Sequence, residues 1–156
     1  MQDLLYSNTD NPGSLVSVQV CPTFGFASFP AAADGQVSAA VSFRQGYRWF
    51  TIYSTANTPG FEEPEDETDN GPVWMPKISL FLPSDNAAYR RELFRWANYR
   101  FVAQIYDQAG IYRRVGTIIE PLSLKSAFNT GSAVPDRRGY SITLSGSTTT
   151  PAPVII

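Results

Sequence analysis

The sequence predicts a mainly β protein, an antiparallel β-sandwich or barrel with one flanking α-helix (about residues 84–98) and a long acidic loop (about residues 56–72). Three observations predict it. Residues 14–20 and 140–145 alternate apolar and polar side chains with a period of two, the pattern of half-buried strands. Two apolar runs, 101–106 and 111–115, flank Asp107-Gln108-Ala109-Gly110, a four-residue turn in which Gly110 supplies the left-handed position. Helical periodicity occurs in one stretch alone, so helices do not interleave with strands as a parallel α/β sheet requires.

Taken in order, residues 1–10 lack the basic region and apolar run of a signal peptide, and no stretch reaches the roughly 20 apolar residues that span a bilayer. A soluble protein is expected. In residues 14–20, Val16, Val18 and Val20 share one face and Ser17 and Gln19 the other. Cys21 closes that apolar run before Pro22 and is expected to be a buried, inert thiol, made in a reducing compartment. Residues 22–35, rich in Pro, Gly, Ala and Phe, read as an irregular excursion. Strands follow at 36–43 and 47–55, the second carrying Tyr47, Trp49 and Tyr53; Arg44-Gln45-Gly46 joins them as a hairpin.

Residues 55–72 combine Pro59, Gly60, Pro64, Gly71 and Pro72 with the acids Glu62, Glu63, Glu65, Asp66, Glu67 and Asp69. Like charges at that density repel, so an exposed, structureless loop is expected, solvated or facing a partner. It lacks the spacing of a calcium loop. The helix starts at Ser84 as N-cap with Asp85 in its first turn, and Tyr89, Leu93 and Trp96 form its apolar stripe. Arg90, Arg91 and Arg95 occupy its other faces. Two further strands, at 121–128 and 140–145, precede a Ser, Thr and Pro tail expected to be extended and loosely packed. The chain reads as a single domain over 1–156 with extended arms at 1–13 and 147–156.

Composition narrows the chemistry. At 156 residues and 43% hydrophobic content, one domain can bury about 68–70% of its unfolded surface. With no histidine and one cysteine, a Ser-His-Asp triad, a Cys-His pair and a zinc site cannot be built from one copy. A carboxylate pair is the remaining option, yet Asp34, Asp107 and Asp136 sit where turns need them. No phosphate loop or dinucleotide fingerprint is present. The expectation is a non-enzyme without metal or other cofactor. Six of the 14 acids fall in residues 61–70, which leaves eight against 12 bases elsewhere, a mildly basic body of +4 with one acidic loop. The bases form no dense tract, and sequence-specific nucleic-acid binding is not expected. The aromatics Tyr47, Trp49, Tyr53, Trp74, Trp96, Tyr99, Tyr106 and Tyr112 suit core or subunit-interface packing; a stacking platform for sugars is the alternative.

Residues 100–154 carry a resemblance. Phe101-Val102, Tyr106-Asp107, Gly110, Arg113, Val115-Gly116-Thr117, Pro121, Thr130-Gly131, Asp136-Arg137-Arg138-Gly139-Tyr140, the strand to Leu144 and Gly146, and Pro151-Ala152-Pro153 resemble the C-terminal part of small phage and prophage tail structural proteins. The first 99 residues match no such pattern. The resemblance implies a sandwich subunit that assembles with itself into rings or stacked rings, such as a tail tube or tail-associated ring. Its other partners would be virion proteins, with no membrane involved. It would be located in the virion, assembled in the host cytoplasm. The family contributes no catalytic residues. Candidate interface residues are Tyr47, Trp49, Arg90, Arg91, Arg95, Tyr106, Tyr112 and Arg113, together with the acidic loop. A capsid decoration protein and a module binding host-surface glycans are the alternatives.

Overall fold

The computed structural model describes residues 13–156; residues 1–12, which hold almost all of the expected N-terminal arm, lie outside the described residues. Strands dominate: β1 (Leu15–Pro22), β2 (Phe26–Ser28), β3 (Gln36–Val37), β4 (Ser42–Phe43), β5 (Phe50–Ile52), β6 (Gly60–Glu62), β7 (Glu65–Thr68), β8 (Gly71–Trp74), β9 (Lys77–Pro83), the helix α1 (Ala87–Trp96), β10 (Arg100–Asp107), β11 (Tyr112–Val115), β12 (Leu122–Asn129), β13 (Gly139–Ser145) and β14 (Val154–Ile155).

Ten strands share one hydrogen-bonded sheet that folds into two layers. One layer runs β5-β1-β10-β11-β14-β3, the other β12-β13-β9-β6. They meet at the start of β10, where Arg100 and Phe101 pair with Ser123 and Leu122. Period-two alternation explains the filling between them. Ile78, Leu80 and Leu82 of β9 and Tyr140, Ile142 and Leu144 of β13 are buried, and they face Val18, Val20, Phe101, Ala103 and Ile105 across the layers. At the far ends, Thr55 N–H reaches Phe81 O at 3.0 Å, but β5 and β9 form no ladder. The fold is therefore sandwich-like and open rather than a closed barrel. One pairing, β14 on β3, is parallel, so the sheet is mixed.

β10 is buried on both faces. Phe101, Ala103 and Ile105 point into the main core, while Val102 joins Cys21 and Phe26 in a second cluster roofed by Phe29, Phe43 and Trp49. Cys21 is fully buried, and that burial pushes its thiol up to about 11, as expected of an inert cysteine.

Five expectations are corrected. Residues 36–43 and 47–55 do not pair as a hairpin: β4 pairs with β2, and β5 with β1, although Gly46 does make the turn at φ +84°. Val16 is exposed because a register irregularity between Leu15 and Ser17 turns it off the core face and brings Leu15 in. The helix is shorter at its start. Asn86 is the N-cap, its Oδ1 accepting from Tyr89 N–H at 2.8 Å, because Ser84 has φ +73° and leaves the chain outside the helix. The acidic stretch is not structureless: β6 pairs with β9, and β7 and β8 form a separate two-stranded ribbon. The C-terminal tail is extended but not loose. Thr148 pairs with Trp74, and β14 inserts between β11 and β3.

Candidate functional site

The eight proposed interface residues fall in three places. Tyr106 and Tyr112 are opposite each other on the β10–β11 hairpin, their rings stacked at 4.2 Å and 22°, and Arg113 Nη1 donates to Asp107 Oδ2 at 2.7 Å. On the helix, Arg91 and Arg95 are exposed around Glu92 at 3.9 and 3.6 Å, contacts that solvent screens. Arg90 is held by Asp85, with Nη2 to Oδ2 at 2.8 Å, and lies over the Phe128 ring. Tyr47 packs edge-on to Phe24, while Trp49 is a packing residue, edge-on to Phe26 and Phe43 in the second cluster. The structure does not gather these eight into one patch.

The six acids also separate. Glu62 pairs with Lys77 at 3.1 Å. Glu63 turns inward and accepts Ala152 N–H at 2.9 Å, fastening the C-terminal arm; burial raises its pKa despite that bond. Glu65, Asp66 and Glu67 are exposed along β7, and Asp69 is exposed in the ribbon's turn. β7 is exposed along its whole length and so carries these charges without desolvating them, while β8 is half-buried at Val73 and Trp74.

Two arrangements that the sequence reading passed over stand out. Asp85, expected in the helix's first turn, instead precedes the cap and ties three elements together: Oδ2 accepts from Arg90, Oδ1 accepts the Tyr140 hydroxyl at 2.6 Å, and Arg138 lies 3.9 Å away. The Arg90 and Tyr140 bonds hold its carboxyl below the usual range. Asp136 is likewise lowered by the backbone N–H groups of Ala133 and Ser132. At Asp107, burial pushes upward, but the Ile111 N–H and Arg113 outweigh it and the net shift is downward. In all three cases the unfolded chain takes up protons first, so their stabilisation is present above about 3.9 and is lost as pH falls through the lower folded values. Glu63 acts with the opposite sign. The urea midpoint is expected to fall between pH 5 and pH 3, less steeply in Asp85→Asn than in the wild type; a midpoint flat across that window would contradict the ion-pair assignment.

The second arrangement is a groove of about 660 Å³ between the loop after β2 and the segment following β11. Phe29, Val37, Ile118, Ile119 and Pro153 make its walls largely apolar. Arg114 also lines it and is 3% exposed. Its Nη1 donates to Pro30 O at 3.3 Å, and its guanidinium lies 5.0 Å from the Phe29 ring centroid. Among the described residues, Arg114 Nε is the single buried side-chain nitrogen or oxygen without a hydrogen-bond partner, and no carboxylate forms an ion pair with it. A signal for it was present: in a strand, the consecutive pair Arg113-Arg114 must send one arginine to each face.

Among the described residues, no three His, Cys, Asp or Glu side chains gather as a metal-ligating group, and no helix is long and apolar enough to cross a membrane. Comparison with protein-family models, with curated proteins and with solved structures finds no match.

Proposed function

We propose that this chain is a structural subunit that assembles with copies of itself into rings or stacked rings, and that its place is a phage tail. The open-edged sheet carries the first half of this reading. Among the described residues, β5 and β6 each pair along one side, and the β7–β8 ribbon stands apart from the main sheet. An unpaired strand edge is a template for another chain, a hazard in a monomer that a neighbouring subunit removes. The tail assignment rests on the resemblance of residues 100–154. Two of the three Asp residues expected at turns cap backbone groups there: Asp107 accepts Ile111 N–H, and Asp136 accepts the N–H groups of Ser132 and Ala133. Turn capping accounts for both without an acid or base role, in keeping with a scaffold.

Sedimentation velocity across a wide concentration range tests the reading. Species larger than the monomer should grow with concentration. Replacing Glu65, Asp66, Glu67 and Asp69 by their amides should leave the thermal midpoint of the unassembled subunit nearly unchanged, since these side chains are exposed, while altering the salt dependence of assembly. A monomer at every concentration would count against self-assembly, and a large loss of midpoint in the amide variant would show that the ribbon holds the fold.

A further inference from the structure

We propose that the Arg114 groove is a binding site for a carboxylate carried on an apolar body. A guanidinium stays charged at any physiological pH, and burying it without an anion is costly unless donors and charge are satisfied. Here the Nη1 donor is used on Pro30 O, and the guanidinium carbon lies over the Phe29 ring, 5.0 Å from its centroid, so two contacts hold the group in place. Nε is left over, and with Nη2 it forms the edge of the guanidinium that takes a carboxylate through two parallel bonds. Burial, unopposed by any acidic neighbour, lowers the pKa of Arg114, in line with an anion-free site.

The remainder of the groove selects the rest of the ligand. Its volume of about 660 Å³ lies within the range of small-molecule sites. Arg114 is the one cation among its lining residues, so one negative charge is matched and a phosphate dianion is not. Asp34, also in the lining, is exposed and disfavours a second anion. Ile118 and Ile119 stand at the mouth, Ile119 91% exposed, apolar surface that an aliphatic or aromatic body would cover. The carboxylate can come from a free amphiphilic acid or from an acidic side chain flanked by apolar residues on another copy of the chain. Both present the same chemistry to Arg114.

Octanoate, octanol and octylammonium, titrated into the full chain and followed by amide NMR shifts at Val37, Ile118 and Ile119, test the assignment. Octanoate should saturate with an affinity about tenfold or more above octanol, the worth of a charge-assisted hydrogen bond, and octylammonium should not bind. Arg114→Lys should erase most of that preference. Ile119→Ser, at an exposed position that leaves folding intact, should weaken octanoate and octanol alike. Equal binding of octanoate and octanol, an unchanged preference in Arg114→Lys, or no saturable shift with octanoate would overturn the proposal. Sedimentation at saturating octanoate then separates the sources: a loss of assembled species supports a site filled by a neighbouring copy, and unchanged assembly supports one filled by a free acid. A chain that never assembles would defeat the proposed subunit role, while the titration would still decide the site.

Discussion

Replacing Phe101 by alanine is expected to cost about 3–5 kcal/mol of folding stability. Phe101 is 1% exposed and sits where the two layers of the sheet join: its backbone pairs with Pro22 of β1 on one side and Leu122 of β12 on the other. Its ring meets Trp96 at 5.7 Å and Tyr99 at 6.3 Å, so it also docks the helix end. A cavity there would border both layers and the helix, leaving little freedom to collapse. The loss would be a large share of the 5–15 kcal/mol, roughly, that holds a domain of this kind together. Urea unfolding should show the midpoint falling with the slope unchanged. A cost below about 1 kcal/mol would mean that Phe101 does not bridge the layers.

Gly139→Val should be comparably severe, for the opposite reason. Gly139 opens β13 opposite Pro83 of β9, and any Cβ there overlaps the Leu82 carbonyl oxygen and approaches Pro83 Cα to 2.9 Å. These are backbone atoms in a paired ladder and cannot rotate away. Overpacking typically costs about 1–3 kcal/mol, and a branched side chain against an immovable strand belongs at or above the top of that range. Gly139→Ala should fall lower in the same range, since it adds only the Cβ. If Gly139→Val unfolded at the wild-type midpoint, the register between β9 and β13 would be wrong.

Local chemistry was legible in the sequence where partners are close in the chain. The β10–β11 hairpin was readable because the two apolar runs and Gly110, at φ +85°, all lie within 16 residues. The helix was readable from Leu93 and Trp96, which do pack on the core. Its cap was misread because Ser84, Asp85 and Asn86 are all good caps by type; the left-handed turn at Ser84 and the Tyr89 N–H bond to Asn86 decide among them. Long-range pairing was not readable. Nothing local in Ser42 or Phe50 says that β4 joins β2 while β5 joins β1. In the acidic stretch, the charge density predicts a loop, yet Asp69-Asn70-Gly71 is a turn signal that closes the β7–β8 ribbon with Gly71 at φ +108°. As for the candidate site, Arg113 and Tyr112 were picked out by type. Arg114 and Asp85 acquire their roles only from tertiary neighbours, Phe29 and Pro30 for one, Arg138 and Tyr140 for the other.

Electron microscopy of the purified chain at high concentration tests the central claim most directly, because a ring or tube is visible without knowledge of any ligand. The subunit reading predicts closed rings or stacked rings of uniform diameter, held head to tail or by a repeated symmetric contact. A field of monodisperse single subunits, unchanged over the accessible range of concentration and salt, would contradict it.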